Sequence, residues 1–406
     1  MVVLDLIRDG NARSRADLAR LSGLSPSTVT AITASLLDVG LVVEDRGAGI
    51  ADGPTLGRPA TPLRLEPTAG FAVGVKLSPD TLTATVTDLD ATPLAMVSIP
   101  HRRDQDAATV VGLFDAAISD VLTHASVPPE RVVGIGIGLP GMVDPATGQV
   151  TGSPLADPAE HDLERLLGEH FGLTVLVDND VNTLTIAEHL FGAGRGARDL
   201  VVITVGRGVG MGMVVNGQIA RGWHGGAGEI GHLTVRPDGP ACWCGRRGCL
   251  EAVAAEPALV REALAITGRL VAPGDLAALA VADSRVADAL ARAGDLVGNA
   301  IATVVQLVDP ERVVVSGEGV RLGSFHLDAL REAARRVLGP DHPLDLIVEP
   351  WGDDAWARGA ASLALREFFH PAHLRDERRT RAVVTAPLRD PHQRQAPNQG
   401  RGGSRS

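Results

Sequence analysis

Tyrosine is absent from the 406 residues, lysine occurs once, at Lys76, and cysteine three times. So few cysteines, in odd number, argue against a disulfide framework. No run approaches 18 unbroken apolar residues, so no transmembrane span is expected. The opening MVVLDLIRDG carries Asp5 and Asp9 where a secretory leader would carry basic residues. No signal peptide is read there, and the expected compartment is the cytoplasm. Positive charge is scarce in the body of the chain. Residues 1–65 hold seven arginines and seven acids, and residues 370–406 hold eight arginines and three acids, within a formal total of −11. The stretch between is strongly acidic and repels phosphate backbones, which leaves nucleic-acid contact to the ends. The near-exclusive use of arginine, with no tyrosine, reads as codon bias of a GC-rich genome.

What is present suits two or three domains with real cores: 45% hydrophobic residues and 47 glycines. Residues 2–46 read as three helices followed by a strand. Ser14 and Asp17 resemble a capping box that opens the second helix. Gly23 supplies a tight turn, and Ser25 with Pro26 starts the third helix, roughly 26–38. That helix buries Val29, Ile32 and Leu36 and shows Ser27, Thr28, Thr30, Ala31 and Ser35 outward. GLVVED (40–45) and GRPATPLRL (57–65) read as two strands of a wing. Three helices and a wing are the pattern of a winged helix-turn-helix, whose third helix enters the major groove. A small bundle for protein contacts is the alternative. The third helix is uncharged, so readout falls to hydroxyls and small apolar groups, with Arg15, Arg20, Arg46 and Arg58 for phosphates or a minor groove.

From about residue 70 the pattern is α/β. FAVGVKL (71–77) and TLTATVTDLD (81–90) read as a hairpin. VVGIGIGLPGMVD (132–144), LTVLVDNDVN (173–182), LVVITVGRGVGMGMVVNGQIA (200–220) and RVVVSGEGV (312–320) read as strands running into polar or glycine loops. Helices are expected at 106–124, 181–191, through 255–308, and at 355–369, the last amphipathic. Residues 371–406 have few apolar residues and read as disordered. All three cysteines fall in ACWCGRRGCLE (241–251), ten residues after a histidine: His232-x9-Cys242-x-Cys244-x4-Cys249. Three thiolates and an imidazole suit a closed tetrahedral zinc site. Three inert reduced thiols are the alternative, disfavoured because crowded thiolates repel without a cation.

The motifs GIGLPGMVD (136–144), VDNDVNTLTIAEHLFGAGRG (177–196), GGAGEIGHLTV with CWCGRRGCLEA, and LGRPATPLRL resemble those of the ROK proteins (repressor, open reading frame, kinase). The resemblance covers the chain to about residue 369 and is closest to the regulator branch. It implies a two-lobed actin-like body with a sugar in the interlobe cleft. The implied divisions are 1–66 for the winged helix-turn-helix, 67–195 for one lobe completed by helix 355–369, 196–354 for the zinc-bearing lobe, and 370–406 for a basic tail. By matching position, Asn179, Asp180, Glu229, His232 and Glu251 would bind sugar hydroxyls. Asp180 would be the general base in a kinase of the family.

The nucleotide half of the resemblance breaks down. The family's Asp-x-Gly-Gly-Thr strand end matches Lys76-Leu77-Ser78-Pro79-Asp80, its Gly-Thr-Gly loop matches Gly206-Arg207-Gly208, and its late glycine pair is interrupted by Glu318. A cation, a residue with no N–H and an acid stand where phosphate and metal would be held. Phosphoryl transfer rests on positioning and charge neutralisation, so lost catalysis with kept sugar sensing is expected. The reading is a sugar-responsive repressor with operator DNA and a small sugar as partners, zinc as cofactor, no membrane association, and a homodimer or homotetramer as assembly. Alternatives are an active ATP-dependent sugar kinase that kept a DNA-binding module, and a repressor controlled by a protein partner.

Overall fold

The structure, a computed structural model, describes residues 2–8, 10, 14–45, 62–102, 106–153, 155, 162–350 and 354–369. Arg46, Arg58, most of the wing and the 370–406 tail lie outside the described residues.

The N-terminal module contains α1 (Val2–Arg8), α2 (Arg15–Ser22), α3 (Pro26–Asp38), and the antiparallel pair β1 (Val42–Glu44) and β2 (Leu63–Leu65). Local chemistry sets its boundaries. The Ser14 hydroxyl accepts from the Asp17 amide at 3.1 Å and donates to its carboxylate at 2.7 Å. Ser25 accepts from the Thr28 amide at 3.1 Å, with Pro26 in the first turn of α3. Gly23 ends α2 at φ +70°, a conformation open to glycine at little cost. Val29 is buried as expected, but Thr33 is the second buried residue of α3, while Ile32 and Leu36 are half-buried. Thr33 tolerates burial because its hydroxyl donates to the Val29 carbonyl at 2.9 Å and accepts from Arg15 Nε at 3.2 Å.

Two five-stranded sheets follow, with the same internal order. The first runs β5 (Pro93–Pro100), β4 (Thr81–Thr87), β3 (Phe71–Leu77), β6 (Val132–Leu139), β9 (Val175–Asn179). A small ribbon, β7 (Met142–Val143) with β8 (Val150–Thr151), lies between β6 and β9 in sequence. The second sheet runs β12 (Gln218–Ile219), β11 (Val209–Val215), β10 (Leu200–Val205), β13 (Arg312–Ser316), β14 (Leu346–Val348). In each, three antiparallel strands in chain order are joined by two parallel ones. The chain has built one topology twice. The sequence reading missed β5, β7, β8, β12 and β14, which are short or lie at sheet edges.

Helices cover the outer faces: α4 (Ala107–Ala125) and α5 (Leu163–Phe171) on the first sheet, and α7 (Leu250–Ala254), α8 (Glu256–Thr267), α9 (Leu276–Ala282), α10 (Ser284–Val308) and α11 (Ser324–Leu338) on the second. Helix α4 is long and apolar enough to cross a membrane by length and composition alone. Its Val110, Phe114, Ala117, Ile118, Val121 and Leu122 are instead buried in the first core. Between the sheets lie α6 (Asp180–Phe191) and α12 (Asp354–Phe368).

The last helix corrects the amphipathic reading. Ala355, Ala357 and the run Gly359–Leu365 are all buried. Small residues permit this, because strand backbone meets helix backbone. A Cβ on Gly74 would sit 1.9 Å from the Ala357 carbonyl oxygen, and one on Gly136 would sit 1.8 Å from that of Ala360. The N-terminal module shares this packing. Leu4, Ile7, Leu41, Leu63 and Leu65 form one apolar cluster with Leu89, Ala361, Leu365 and Phe369. Arg8 lies over the Phe369 ring at 5.4 Å, and the Arg8 carbonyl accepts from Arg195 at 2.9 Å.

Candidate functional site

Strand β9 ends where α6 begins, and that junction carries the polar cluster VDND. Asn179 caps α6: its Oδ1 accepts from the amides of Val181 at 2.8 Å and Asn182 at 3.3 Å. Its Nδ2 donates to the Gly141 carbonyl at 2.9 Å, tying the glycine loop after β6 to the helix. Asp178, almost fully buried, holds the turn through the Asn179 amide and Asn182 Nδ2. It also receives Arg221, from the loop after β12, with Nε and a terminal nitrogen each 2.7 Å from Oδ2. A buried ion pair of this geometry joins the two lobes beside the candidate sugar residues.

From the second lobe, a 3-10 turn at Ile230–His232 and the first turn of α7 supply the rest. His232 Nε2 lies 3.8 Å from Glu229 Oε2. Glu251 Oε2 accepts from the Val209 amide at 3.2 Å, and its Oε1 accepts from the Trp243 indole N–H. Burial first, and then the charges of Glu251 and Asp180, push the Glu229 carboxyl above the usual carboxylate range, with His232 opposing. Glu229 thus senses both Glu251 of its own lobe and Asp180 of the other. Asp180, His232 and Glu251 all lie near enough to Glu229 to act on its charge, and Asn179 caps the helix that carries Asp180.

The other nitrogen of His232 faces the cysteines. Nδ1 is 3.6 Å from Cys242 Sγ, and Cys244 Sγ is 3.7 Å from Cys249 Sγ. All four potential ligand atoms lie within 4.8 Å of one another. A tetrahedron with zinc–sulfur bonds of about 2.3 Å has sulfur–sulfur edges of about 3.8 Å and sulfur–nitrogen edges of about 3.6 Å. The donor set therefore fits a thiolate-preferring dication.

Around the segments that match the family's phosphate motifs, charges of the protein lie against one another. Lys76 Nζ pairs with Asp180 Oδ2, both side chains mostly buried, and lies 4.7 Å from the centre of the Trp356 ring. Arg207 reaches Asp80 across the lobes at 3.8 Å. A Cβ on Gly206 would lie 2.1 Å from Glu318 Oε2, so a carboxylate presses on the loop. In the sequence Lys76 belongs to the nucleotide-side motif and Asp180 to the sugar-side motif, with no signal that they touch. It also missed Asp178, Arg221 and Trp243, because a contact between distant segments has no local periodicity.

In the N-terminal module, Ser27, Thr28, Thr30 and Ala31 are exposed along one side of α3. Ser27 and Thr28 hydroxyls each lie 2.8 Å from Ser25 Oγ, and Thr30 donates to the Pro26 carbonyl. Arg15 is turned partly inward, bridging Thr33 and, at 3.5 Å, Glu44. Arg20 pairs with Asp17 on the surface.

A duplicated α/β body with polar residues gathered where its halves meet, fused to a helix-turn-helix, defines a regulator on the actin-like sugar-kinase fold. The chain belongs to the ROK family, whose model matches residues 72–367, and residues 1–46 match the IclR helix-turn-helix domain. It is 32% identical to the N-acetylglucosamine repressor of Escherichia coli over 318 residues, covering 75% of this chain and 76% of that protein. It is 27% identical to the xylose repressor of Bacillus subtilis over 358 residues, covering 87% and 91%. Among solved structures, a ROK family transcriptional regulator homologous to the E. coli MLC protein aligns with a TM-score of 0.75 at 28% identity, covering 95% of this chain and 98% of that one.

Proposed function

We propose that the chain is a sugar-responsive transcriptional repressor that binds operator DNA through its N-terminal module and a hexose- or pentose-type effector in the interlobe cleft. The Lys76–Asp180 ion pair carries this reading. In a kinase, Asp180 would need a free oxygen to take the proton of the reacting hydroxyl. Here an ammonium occupies that carboxylate, and the residues that would cradle phosphate are Pro79, Asp80 and Arg207. The sugar side keeps its acids and its histidine. Asp180, Glu229, His232 and Glu251 offer the acceptors that diols need. Ser27, Thr28, Thr30 and Ala31 face the DNA, with Arg15 and Arg58 as phosphate contacts.

His232, Cys242, Cys244 and Cys249 hold zinc in this reading. The ion fixes the imidazole through Nδ1 and leaves Nε2 toward Glu229 and the sugar. Zinc does no chemistry there and is structural.

Sugar closure is transmitted by packing. The first turn of helix α12 carries Trp356, under Lys76, and Phe369, just past its last residue, lies under Arg8 of the DNA-binding module. A sugar that competes for Asp180 loosens Lys76 at one end of a buried rod whose other end is the operator-binding domain. In a cytoplasmic homodimer or homotetramer, that shift alters the spacing of two such modules.

A thermal-shift screen of sugars with and without ATP–Mg²⁺ tests the reading. Sugar at 100 times its Kd should stabilise by about 2.7 kcal/mol, and nucleotide should add nothing. Stabilisation by ATP–Mg²⁺ with sugar-dependent ADP release would overturn it in favour of a kinase. A gel-shift titration in which sugar leaves operator affinity unchanged would remove the effector role.

A further inference from the structure

Trp243 stands between two of the cysteine ligands, and its side chain is doing something the metal cluster does not require. Its indole N–H donates to Glu251 Oε1, while Glu251 Oε2 is held by the Val209 amide. Its ring meets His232 edge-on, with centroids 5.0 Å apart and an interplanar angle of 79°. Even so, it is 59% exposed. An aromatic ring anchored through its N–H and still exposed, beside the two side chains His232 and Glu251, has the makings of a stacking platform. Backbone freedom at Trp243 is small, because Cys242 and Cys244 on either side belong to the four-residue cluster.

Resting on the reading that a sugar occupies this cleft, we propose that Trp243 is an effector-recognition residue. Its N–H positions Glu251, and its ring stacks on the apolar C–H face of a pyranose. Such stacking selects by stereochemistry. A pyranose whose hydroxyls are all equatorial offers C–H groups on either face, whereas an axial hydroxyl bars the face from which it projects, so a ring confined to that face rejects the sugar. The two functions separate by substitution. Trp243→Phe keeps a ring and removes the donor; Trp243→Gln keeps a donor and removes the ring.

The test uses full-length protein labelled with 5-fluorotryptophan, followed by fluorine NMR and by calorimetry. The probes are N-acetylglucosamine and xylose, which are all-equatorial, and galactose, which has an axial hydroxyl. Loss of one line in Trp243→Phe assigns Trp243, and the line of Trp223, 87% exposed and outside the proposed contact, serves as reference. The Trp243 line should shift with the calorimetric binding curve of an all-equatorial sugar while the Trp223 line stays. Each variant, at unchanged zinc content, should bind that sugar about tenfold more weakly, and Trp243→Gln should lose discrimination against galactose. If the wild type binds a sugar but both variants bind it within twofold and the Trp243 line is still, this inference fails and the sugar-sensing reading stands. If the wild type binds none of the probes or of a wider hexose and pentose panel, the sugar-sensing reading fails and takes this inference with it.

Discussion

The two ends of the interlobe cleft are built from similar residues to opposite effect. At the sugar end, Asp180, Glu229 and Glu251 converge beside His232, and two of the three acids are poised by neutral donors or by burial. At the phosphate end, Asp80 and Glu318 sit where a polyanion would need N–H groups and metal, and Lys76 and Arg207 are spent on carboxylates of the protein itself. Charge count does not separate the two ends; pairing does. At the sugar end Glu251 is held by neutral N–H donors, and Asp180 is paired with Lys76, which an incoming hydroxyl would have to displace. At the other end Arg207 lies 3.8 Å from Asp80 and Glu318 abuts Gly206, so acids of the protein stand beside that loop.

The contrast can be broken at the sugar end first, where the largest effect is expected. Cys244→Ser should take zinc from about one per chain to none and abolish the thermal shift with sugar, read by metal analysis and calorimetry. Intact sensing without metal would detach the cysteine cluster from the cleft. Next comes the clamp behind Asn179. Arg221→Ala leaves Asp178 buried and unpaired and should cost about 3–5 kcal/mol in denaturant unfolding. A loss under 1 kcal/mol would show the lobes are held elsewhere.

A paired substitution then sharpens the contrast itself. Asp180→Asn should weaken sugar binding about 10- to 100-fold, while Asp80→Asn, at the exposed phosphate end, should leave it within twofold. Equal effects would erase the distinction between the ends. The smallest effect lies between the lobes. Burial, then Glu349, push the Glu188 carboxyl up to about 7, and its Oε1 has no partner. The folded protein therefore holds this proton more tightly than the unfolded chain, whose glutamates titrate near 4.3. The stabilisation is full below pH ~4 and disappears as pH rises through ~7. Glu188→Gln should gain about 2 kcal/mol on the wild type between pH 5 and pH 8; parallel stability curves would contradict it.

Much of the fold was legible because its signals are local. Ser14, Gly23, Ser25 and Pro26 announce the helices of the N-terminal module by capping and turn chemistry alone. The His-Cys-Cys-Cys spacing marks a ligand set whose atoms do come together. The last helix was misjudged for a reason that is also physical. Its alternation of alanine with Trp356, Arg358 and Arg366 looks amphipathic in isolation. Gly74 and Gly136, some 220 to 290 residues away in sequence, are what allow strands to bury it.

By itself the sequence determined most element types and the spacing of a His-Cys-Cys-Cys cluster whose atoms do come together, since each depends on a residue's own chemistry or on near neighbours in the chain. Only the tertiary structure decided that the lone lysine lies on Asp180, that Arg221 clamps Asp178, and that Trp243 holds Glu251. Those pairings depend on which distant segments the two sheets bring together, and the strength of a charge or hydrogen bond depends on the partner and the water it has left.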